Sequence, residues 1–438
     1  MKNNLFIASN AMTAVYSSII IDDMYKDENN ILMVVTNHVE SKFLQHMKDV
    51  GQKLGNFSKI IFYNDYSITK LNKVVSKQDA KTFNFERFQN DLKIADFDNI
   101  YTTLYYQQSG TIISHYRDAQ VYVMENGTGS YFPQMINENI IKRIKCFYSL
   151  NYFDLIQPNL IKQYAYIKNE VLDKGKIKEK LLLLSSSVKI EKSENCIIFS
   201  AQNLSLNSDL MSQKYEFEEY YNVIKSLIDK GYVVYFKEHP KTPNYFYSYL
   251  KNSFSNKKFK LLKTEMPLEV LVPVLEPIAV VGVFSSSLLT VPHLFDIPAY
   301  TFKLKNNLIK YPPFAVAYAM VLEYTPILEV LGKEYTRRSV PYLQNPVCNI
   351  LDIDIKKSFV VRKIYNEIQK NIQSFEYENF EYFNISKILF EIYKFGTYWD
   401  LLNYYAESYA DKIKKASVTM SRKDFFIAVL KVFKNLFC

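Results

Sequence analysis

Short apolar runs alternate with segments of helical period through the first two thirds of the chain. NNLFIAS, NILMVVTN, KIIFYND, NIYTTLYY and AQVYVMENG each read as a strand, rich in β-branched and aromatic residues and bounded by polar ones. Between them, SSIIIDDMYK and ESKFLQHMKDVGQKL have the spacing of amphipathic helices. This alternation predicts one α/β domain, residues 1–185, ending near the lysine-rich stretch KGKIKEK. A second series starts at NCIIFSAQ and runs through the helix EEYYNVIKSLIDKG and the strand YVVYFKEHP to IAVVGVFSSSL and PAYTFK, giving a second domain over residues 186–349. Residues 350–438 read as a helical, tyrosine-rich and charged tail. Two facing Rossmann-like domains are the expected assembly, and ligands of such open sheets lie outside the carboxyl ends of the strands.

Composition narrows the class. The chain has 438 residues, 48% hydrophobic and 23% charged, which suits two ordinary cores. Four scattered cysteines form no C-x-x-C pair, and the amino terminus lacks the basic and apolar regions of a secretory signal, so a cytoplasmic protein without disulfides is expected. No run approaches the roughly 20 apolar residues of a membrane span. The net charge of +9 comes without zinc spacing, arginine runs or an RNP-like motif, so nucleic acid is not an expected partner. At the carboxyl end, Phe425, Phe426, Val429, Leu430, Val432, Phe433, Leu436 and Phe437 share one helical face and Lys423, Lys431 and Lys434 lie on the other. That pattern fits a helix lying in an anionic membrane surface; the alternative is a terminal helix docked on the protein's own core.

Candidate chemistry clusters after the strands. The chain has only 10 glycines, yet two of them, Gly127 and Gly129, follow Glu125 and Asn126 in VMENGTGSY, where the backbone must turn sharply or approach something closely. The loop ASNAMTA after the first strand brings in Asn10. His239 and Pro240 follow YVVYF directly, and an imidazole there can donate to an anion or protonate a leaving group. Ser285, Ser286 and Ser287 join a buried strand to a helix, where hydroxyls and free backbone N–H groups form a phosphate cradle. Glu269 opens a helix at Pro267, a place that either stabilises the helix dipole or accepts two ribose hydroxyls. Asp352-x-Asp354 reads as a solvated turn rather than a metal site.

Glu125-x-Gly127, His239-Pro240, Pro267-x-Glu269 and Ser285-Ser286, in that order, resemble bacterial sialyltransferases of the GT-B fold. The similar branch holds capsular α-2,8-polysialyltransferases and lipooligosaccharide sialyltransferases, which share a D/E-D/E-G motif, an HP motif and a serine motif. The resemblance implies inverting transfer of sialic acid, or a related nine-carbon acid, from a CMP-sugar to a glycan hydroxyl, with no metal and no further cofactor. It implies Glu125 as general base, His239 with Ser285 and Ser286 on the departing phosphate, and Glu269 on the ribose. The motif departs at its second acidic position, which is Asn126 here; His115 is poorly placed to substitute. CMP-Kdo or pseudaminic acid donors present the same leaving group. A CDP-glycerol-type polyol phosphotransferase shares the layout, but its acidic residue before the serine pair is replaced by Val283 and Phe284. A basic membrane-associated scaffold is the non-enzymatic alternative.

Overall fold

The computed structural model describes residues 1–302 apart from 36–40, 69–81, 104–106, 128–129, 131–137, 151–160, 162–163, 206–211, 240–241, 243–246 and 255–256, and beyond them residues 321, 325, 328 and 331. Pro240, Asp352, Asp354 and the basic amphipathic segment from Lys423 to Lys434 lie outside the described residues.

The first sheet has seven strands in the order β3-β2-β1-β6-β7-β8-β9. They are β1 (Asn3–Ala8), β2 (Asn29–Val34), β3 (Lys59–Phe62), β6 (Asn99–Thr102), β7 (Gln120–Met124), β8 (Ile144–Ser149) and β9 (Lys168–Val171), all paired in parallel. A two-stranded antiparallel piece, β4 (Ser67–Ile68) with β5 (Thr82–Phe83), stands beside it. Strand order reverses between β1 and β6, the switch point where open sheets leave a crevice. Register across three neighbouring strands is pinned by buried asparagines: Asn4 donates to Asn30 at 2.9 Å, and Asn99 donates to Asn4 at 2.8 Å. A one-residue slip would break this ladder as well as invert the faces. One face of the sheet buries Leu5, Ile31, Ile100 and Val121 in a core shared with Phe88, Phe97 and Tyr116, while the other stacks Phe6 on Tyr101 and Tyr101 on Tyr122, each at 4.6 Å.

Helix α1 (Ala11–Met24) runs back from β1. It was expected as an amphipathic segment starting later; instead residues 13–21 are buried without a break, and the last turn, Asp22 to Met24, is exposed. The loop expected over ASNAMTA shrinks to Ser9 and Asn10, because Asn10 caps the helix with a reciprocal Asn10–Thr13 capping box. Helices α2 (Ser41–Leu54), α3 (Tyr63–Tyr66), α4 (Phe85–Leu92), α5 (Gln107–His115) and α6 (Glu138–Ile141) complete this lobe.

The second sheet is ordered β12-β11-β10-β13-β14, built from β10 (Cys196–Ser200), β11 (Val233–Lys237), β12 (Phe259–Leu262), β13 (Ala279–Gly282) and β14 (Ala299–Thr301). Its switch point lies between β10 and β13. Gly282 permits that pairing, since a Cβ there would sit 3.0 Å from the Ser200 carbonyl oxygen.

The lysine-rich stretch expected as a domain end is a helix, α7 (Lys174–Ser185), capped by Asp173. It packs on α1 and α2 of the first lobe and on two helices of the second, α10 (Leu268–Leu275) and α11 (Ser287–Phe295). Ile177, Leu181 and Leu184 are its buried side chains. Lys176 and Lys180 pair with Asp23 and Asp22 at the end of α1, and Lys174 pairs with Asp296 just beyond α11. The order is completed by α8 (Gln213–Asp229) and α9 (Ser248–Ser253).

Both sheets belong to one compact unit, Met1–Gln202 with Val223–Tyr300; Asn203–Asn222 with Thr301–Cys438 form a second. Within the second unit the buried Glu216 carboxylate accepts the Leu204 and Ser205 N–H groups at 3.2 and 2.9 Å. No described helix is long and apolar enough to cross a membrane.

Candidate functional site

Glu125 directly follows β7, and its N–H still donates across the sheet to the Tyr148 carbonyl at 2.9 Å. Its side chain is fully buried and folds back over the end of β8, where Oε2 accepts the Leu150 N–H at 2.6 Å. Asn126 follows, with its N–H on the Ser130 hydroxyl at 2.7 Å and its side-chain oxygen accepting from the Asn10 amide at 3.2 Å. Asn10 therefore does two things: Oδ1 caps α1, and Nδ2 holds the loop that carries Glu125. An aspartate at position 126 could accept the same bond. That is a physical reason why the departure from two acidic residues leaves the loop intact.

Gly127 has φ +57°, in the left-handed region, and a Cβ there would lie 2.9 Å from the Ser286 Cβ and 3.1 Å from its Oγ. The acidic loop of the first lobe thus touches the serine turn of the second. The close approach that the sequence suggests for this glycine is to Ser286, which fills the space beside it. Gly129 lies outside the described residues.

The serine turn also differs in detail from its expectation. Ser286 caps α11 without a side-chain hydrogen bond. The first-turn N–H groups are already engaged: Ser287 N–H reaches the Ser285 hydroxyl at 3.3 Å, Leu288 the Ser285 carbonyl at 3.0 Å, and Leu289 and Thr290 the Ser286 carbonyl at 2.9 and 3.0 Å. The turn presents the Ser286 hydroxyl, while Ser287 is buried.

Glu269 sits in the first turn of α10, whose N-cap is Pro267 as the sequence predicts. It is buried, and one oxygen accepts from the Thr290 hydroxyl of α11. The phenol of Tyr16, on α1, feels both acids: burial chiefly, then the charges of Glu125 and Glu269, push its pKa well above the usual tyrosine range. A carboxylate from each lobe therefore lies within electrostatic reach of one buried hydroxyl.

His239 follows β11 by one residue, half-buried, and its carbonyl accepts the Thr242 N–H at 2.9 Å. The two residues before it were not singled out in the sequence. Lys237 is buried and donates to the Glu238 and Thr264 carbonyls, both at 3.3 Å. Desolvation lowers its pKa to about 8, against the opposing pull of Glu265, Glu269 and Glu238. Glu238 is pushed up to about 7, mainly by burial, with Glu265 adding and Lys263 and Lys237 opposing. From the first lobe, His46 on α2 is lowered to about 4 by burial; Lys237 adds to the lowering and Asp49 opposes it. The available signal for all three was charge at the end of an apolar strand or on a cleft-facing helix, too common to be specific.

The structure therefore brings together Asn10, Glu125, Asn126, Gly127, Glu269 and Ser286, and places His239 and Ser285 at carboxyl ends of strands in one sheet. His115, exposed at the end of α5, stacks on Phe85 at 3.6 Å beside Tyr116. Among the described residues no group of three or more His, Cys, Asp or Glu side chains converges to hold a metal ion. A cavity of about 700 Å³ lies on the first sheet beside the end of α1, lined in part by Tyr122, Tyr148 and Tyr166, and contains none of the candidate residues.

The sequence matches the family model described as Alpha-2,8-polysialyltransferase (POLYST) over residues 4–303. The chain belongs to the alpha-2,8-polysialyltransferase family. The matched span holds both parallel sheets and every candidate residue except those of the carboxyl-terminal segment. Similar solved structures include the GT-B domain of a sialyltransferase from Photobacterium damselae, at 13% identity and TM-score 0.42, covering 74% of this chain and 96% of that one. A 2,6-sialyltransferase from Photobacterium sp. JT-ISH-224, solved with CMP and lactose, is 11% identical with TM-score 0.43 over 73% and 75% of the two chains. MnaA from S. aureus, solved with UDP, is 12% identical with TM-score 0.47 over 85% and 97%. No curated protein matches the chain. A polysialyltransferase-family chain is a glycosyltransferase of the sialyl-transfer class, and its two-sheet α/β architecture is the one the motifs led us to expect.

Proposed function

We propose that this family member is an inverting, metal-independent sialyltransferase that moves sialic acid, or a related nonulosonic acid, from a CMP-sugar to a glycan hydroxyl of a bacterial surface polysaccharide or lipooligosaccharide. The observation that carries the reading is the contact of Gly127 with Ser286, which sets the acidic loop against the serine turn. In the reaction the acceptor oxygen attacks the anomeric carbon, the bond from that carbon to the phosphate oxygen breaks, and CMP leaves with the bonding pair. Glu125 takes the acceptor proton. A carboxylate held by the Leu150 N–H at the end of a strand is oriented before substrate arrives, which favours that role. His239 hydrogen-bonds or protonates the departing phosphate, the Ser285 and Ser286 hydroxyls bind its oxygens, and Glu269 holds the ribose once its bond to Thr290 is exchanged. One phosphate stabilised by an imidazole and hydroxyls requires no divalent cation, the basis for proposing metal independence.

Calorimetry with CMP in the presence of EDTA tests the donor side: binding unaffected by chelation supports the reading, and binding that vanishes on chelation removes the metal-independent part of it. Glu125→Gln is expected to lower kcat by about 10²–10⁴-fold while CMP still binds; unchanged turnover would take Glu125 out of the base role. His239→Ala is expected to weaken CMP and slow turnover together, and an unaltered KM with a normal rate would contradict its assignment to the phosphate.

We also place the enzyme in the cytoplasm, peripheral on the inner face of the membrane. Lys423, Phe425, Phe426, Lys431, Phe433 and Lys434 supply the basic and apolar faces. Deleting residues from Arg422 onward should release the protein from anionic liposomes in a flotation assay with its melting curve retained. Loss of soluble protein would assign the segment to the core.

A further inference from the structure

Glu125 lies opposite Ser149 at the carboxyl ends of two neighbouring strands. In the parallel pairing of β7 with β8, Val123 stands opposite Phe147 and Met124 opposite Tyr148. The Glu125 N–H carries this register one step further by donating to the Tyr148 carbonyl at 2.9 Å. A regular ladder would next take the Leu150 N–H to the Glu125 carbonyl. Here that N–H goes to the carboxylate Oε2 at 2.6 Å, so Glu125 bonds to the residues on both sides of Ser149. Val123 and Phe147 both enter the core, and alternation sends Glu125 and Ser149 to that same face, on strands about 4.8 Å apart. Ser149 is 1% exposed, and its Oγ has no hydrogen-bond partner. A buried hydroxyl in this state costs stability, a cost that alanine would not carry. The hydroxyl is thus not there to hold the fold.

We propose that the Ser149 hydroxyl holds the attacking hydroxyl of the acceptor against Glu125. This rests on the reading of Glu125 as the base. For the proton to pass, the acceptor oxygen must come within about 2.6–3.2 Å of the carboxylate. Ser149 starts from the neighbouring strand at the same level and on the same face, so that oxygen falls within reach of its Oγ as well. Hydroxyl chemistry then divides the bonds. The acceptor O–H points to Glu125 and yields its proton there. One lone pair of the acceptor oxygen accepts from the Ser149 O–H, and the other forms the bond to the anomeric carbon as CMP leaves with its bonding pair. Ser149 keeps its own proton throughout. Glu125 cannot supply this second contact, since an ionised carboxylate only accepts. Two contacts on one oxygen fix its direction of attack as well as its place.

The test measures turnover of the full chain with CMP-sialic acid and a sialic acid trimer in α-2,8 linkage, the linkage for which the matched family is named. Thermal melts and calorimetric titration with CMP accompany it. Ser149→Ala should lower kcat/KM for the trimer by about tenfold, leave CMP affinity within about twofold, and melt no lower than the wild type. In the Glu125→Gln background the same change should alter the residual rate by less than about twofold, because orienting the hydroxyl gains nothing when no base takes its proton. Equal losses in both backgrounds, or an unchanged rate in the single variant, would overturn the inference. A lowered melting temperature would overturn it too, by showing that the hydroxyl serves the fold. Glu125→Gln with wild-type turnover instead overturns the base assignment on which the inference stands.

Discussion

Gly127 carries two constraints at once, a left-handed backbone and a missing Cβ beside Ser286. Gly127→Ala should therefore cost about 1–2 kcal/mol for the backbone alone, plus the displacement of the serine turn. Differential scanning calorimetry of Gly127→Ala and of the double variant with Ser286→Gly resolves the two: the second change should recover the steric part and leave the backbone part. Equal melting temperatures for the single and double variants would mean that the contact with Ser286 carries no stability. Lys237 gives a pH signature. Its folded pKa of about 8 lies below the ordinary lysine value of 10.5, so between these limits the unfolded chain holds the extra proton and stability rises with pH. The slope is at most about 1.4 kcal/mol per pH unit. Lys237→Met should flatten that rise in denaturant melts at pH 8 and 10, and an unchanged difference would rule out Lys237 as its source. At this scale Glu125, His239 and Ser286 were legible because each follows a strand in a recognisable motif. Tyr16, His46, Lys237 and Glu238 were not, because their significance comes from burial and from neighbours distant in sequence.

Among the elements, the strands richest in β-branched residues could be read directly: β1, β2, β7, β10, β11 and β13 lie where the apolar runs predict them. The strands missed have weaker patterns. IKCFYS in β8 and FKLL in β12 are interrupted by lysine, and β9 is KNEV, exposed at every position at the edge of its sheet. Helix α7 was hidden by its lysines, which mask the buried Ile177, Leu181 and Leu184 spaced along its inner face. The asparagine ladder was equally silent, since an asparagine near a strand end usually signals a turn. Asn4→Ala should destabilise the first lobe by about 1–3 kcal/mol, because Asn30 and Asn99 each lose a buried partner. Urea unfolding measures this; a loss under about 0.5 kcal/mol would show that water replaces the ladder.

For the whole molecule, the two facing lobes were legible in the alternation of strands and helices, whereas the helix that joins them was not, because its lysines disguised it as a domain end. That helix, α7, holds the first lobe through two lysine–aspartate pairs and the second through one, with Lys178 lying 5.8 Å from the Phe295 ring. Exposed pairs of this kind contribute little individually, while truncating Leu181 to alanine removes packing at the centre of the helix and should cost about 2–5 kcal/mol. Because α7 packs against helices of both lobes, a loss of packing there is felt on both sides at once, and the two lobes should melt in a single transition rather than one after the other.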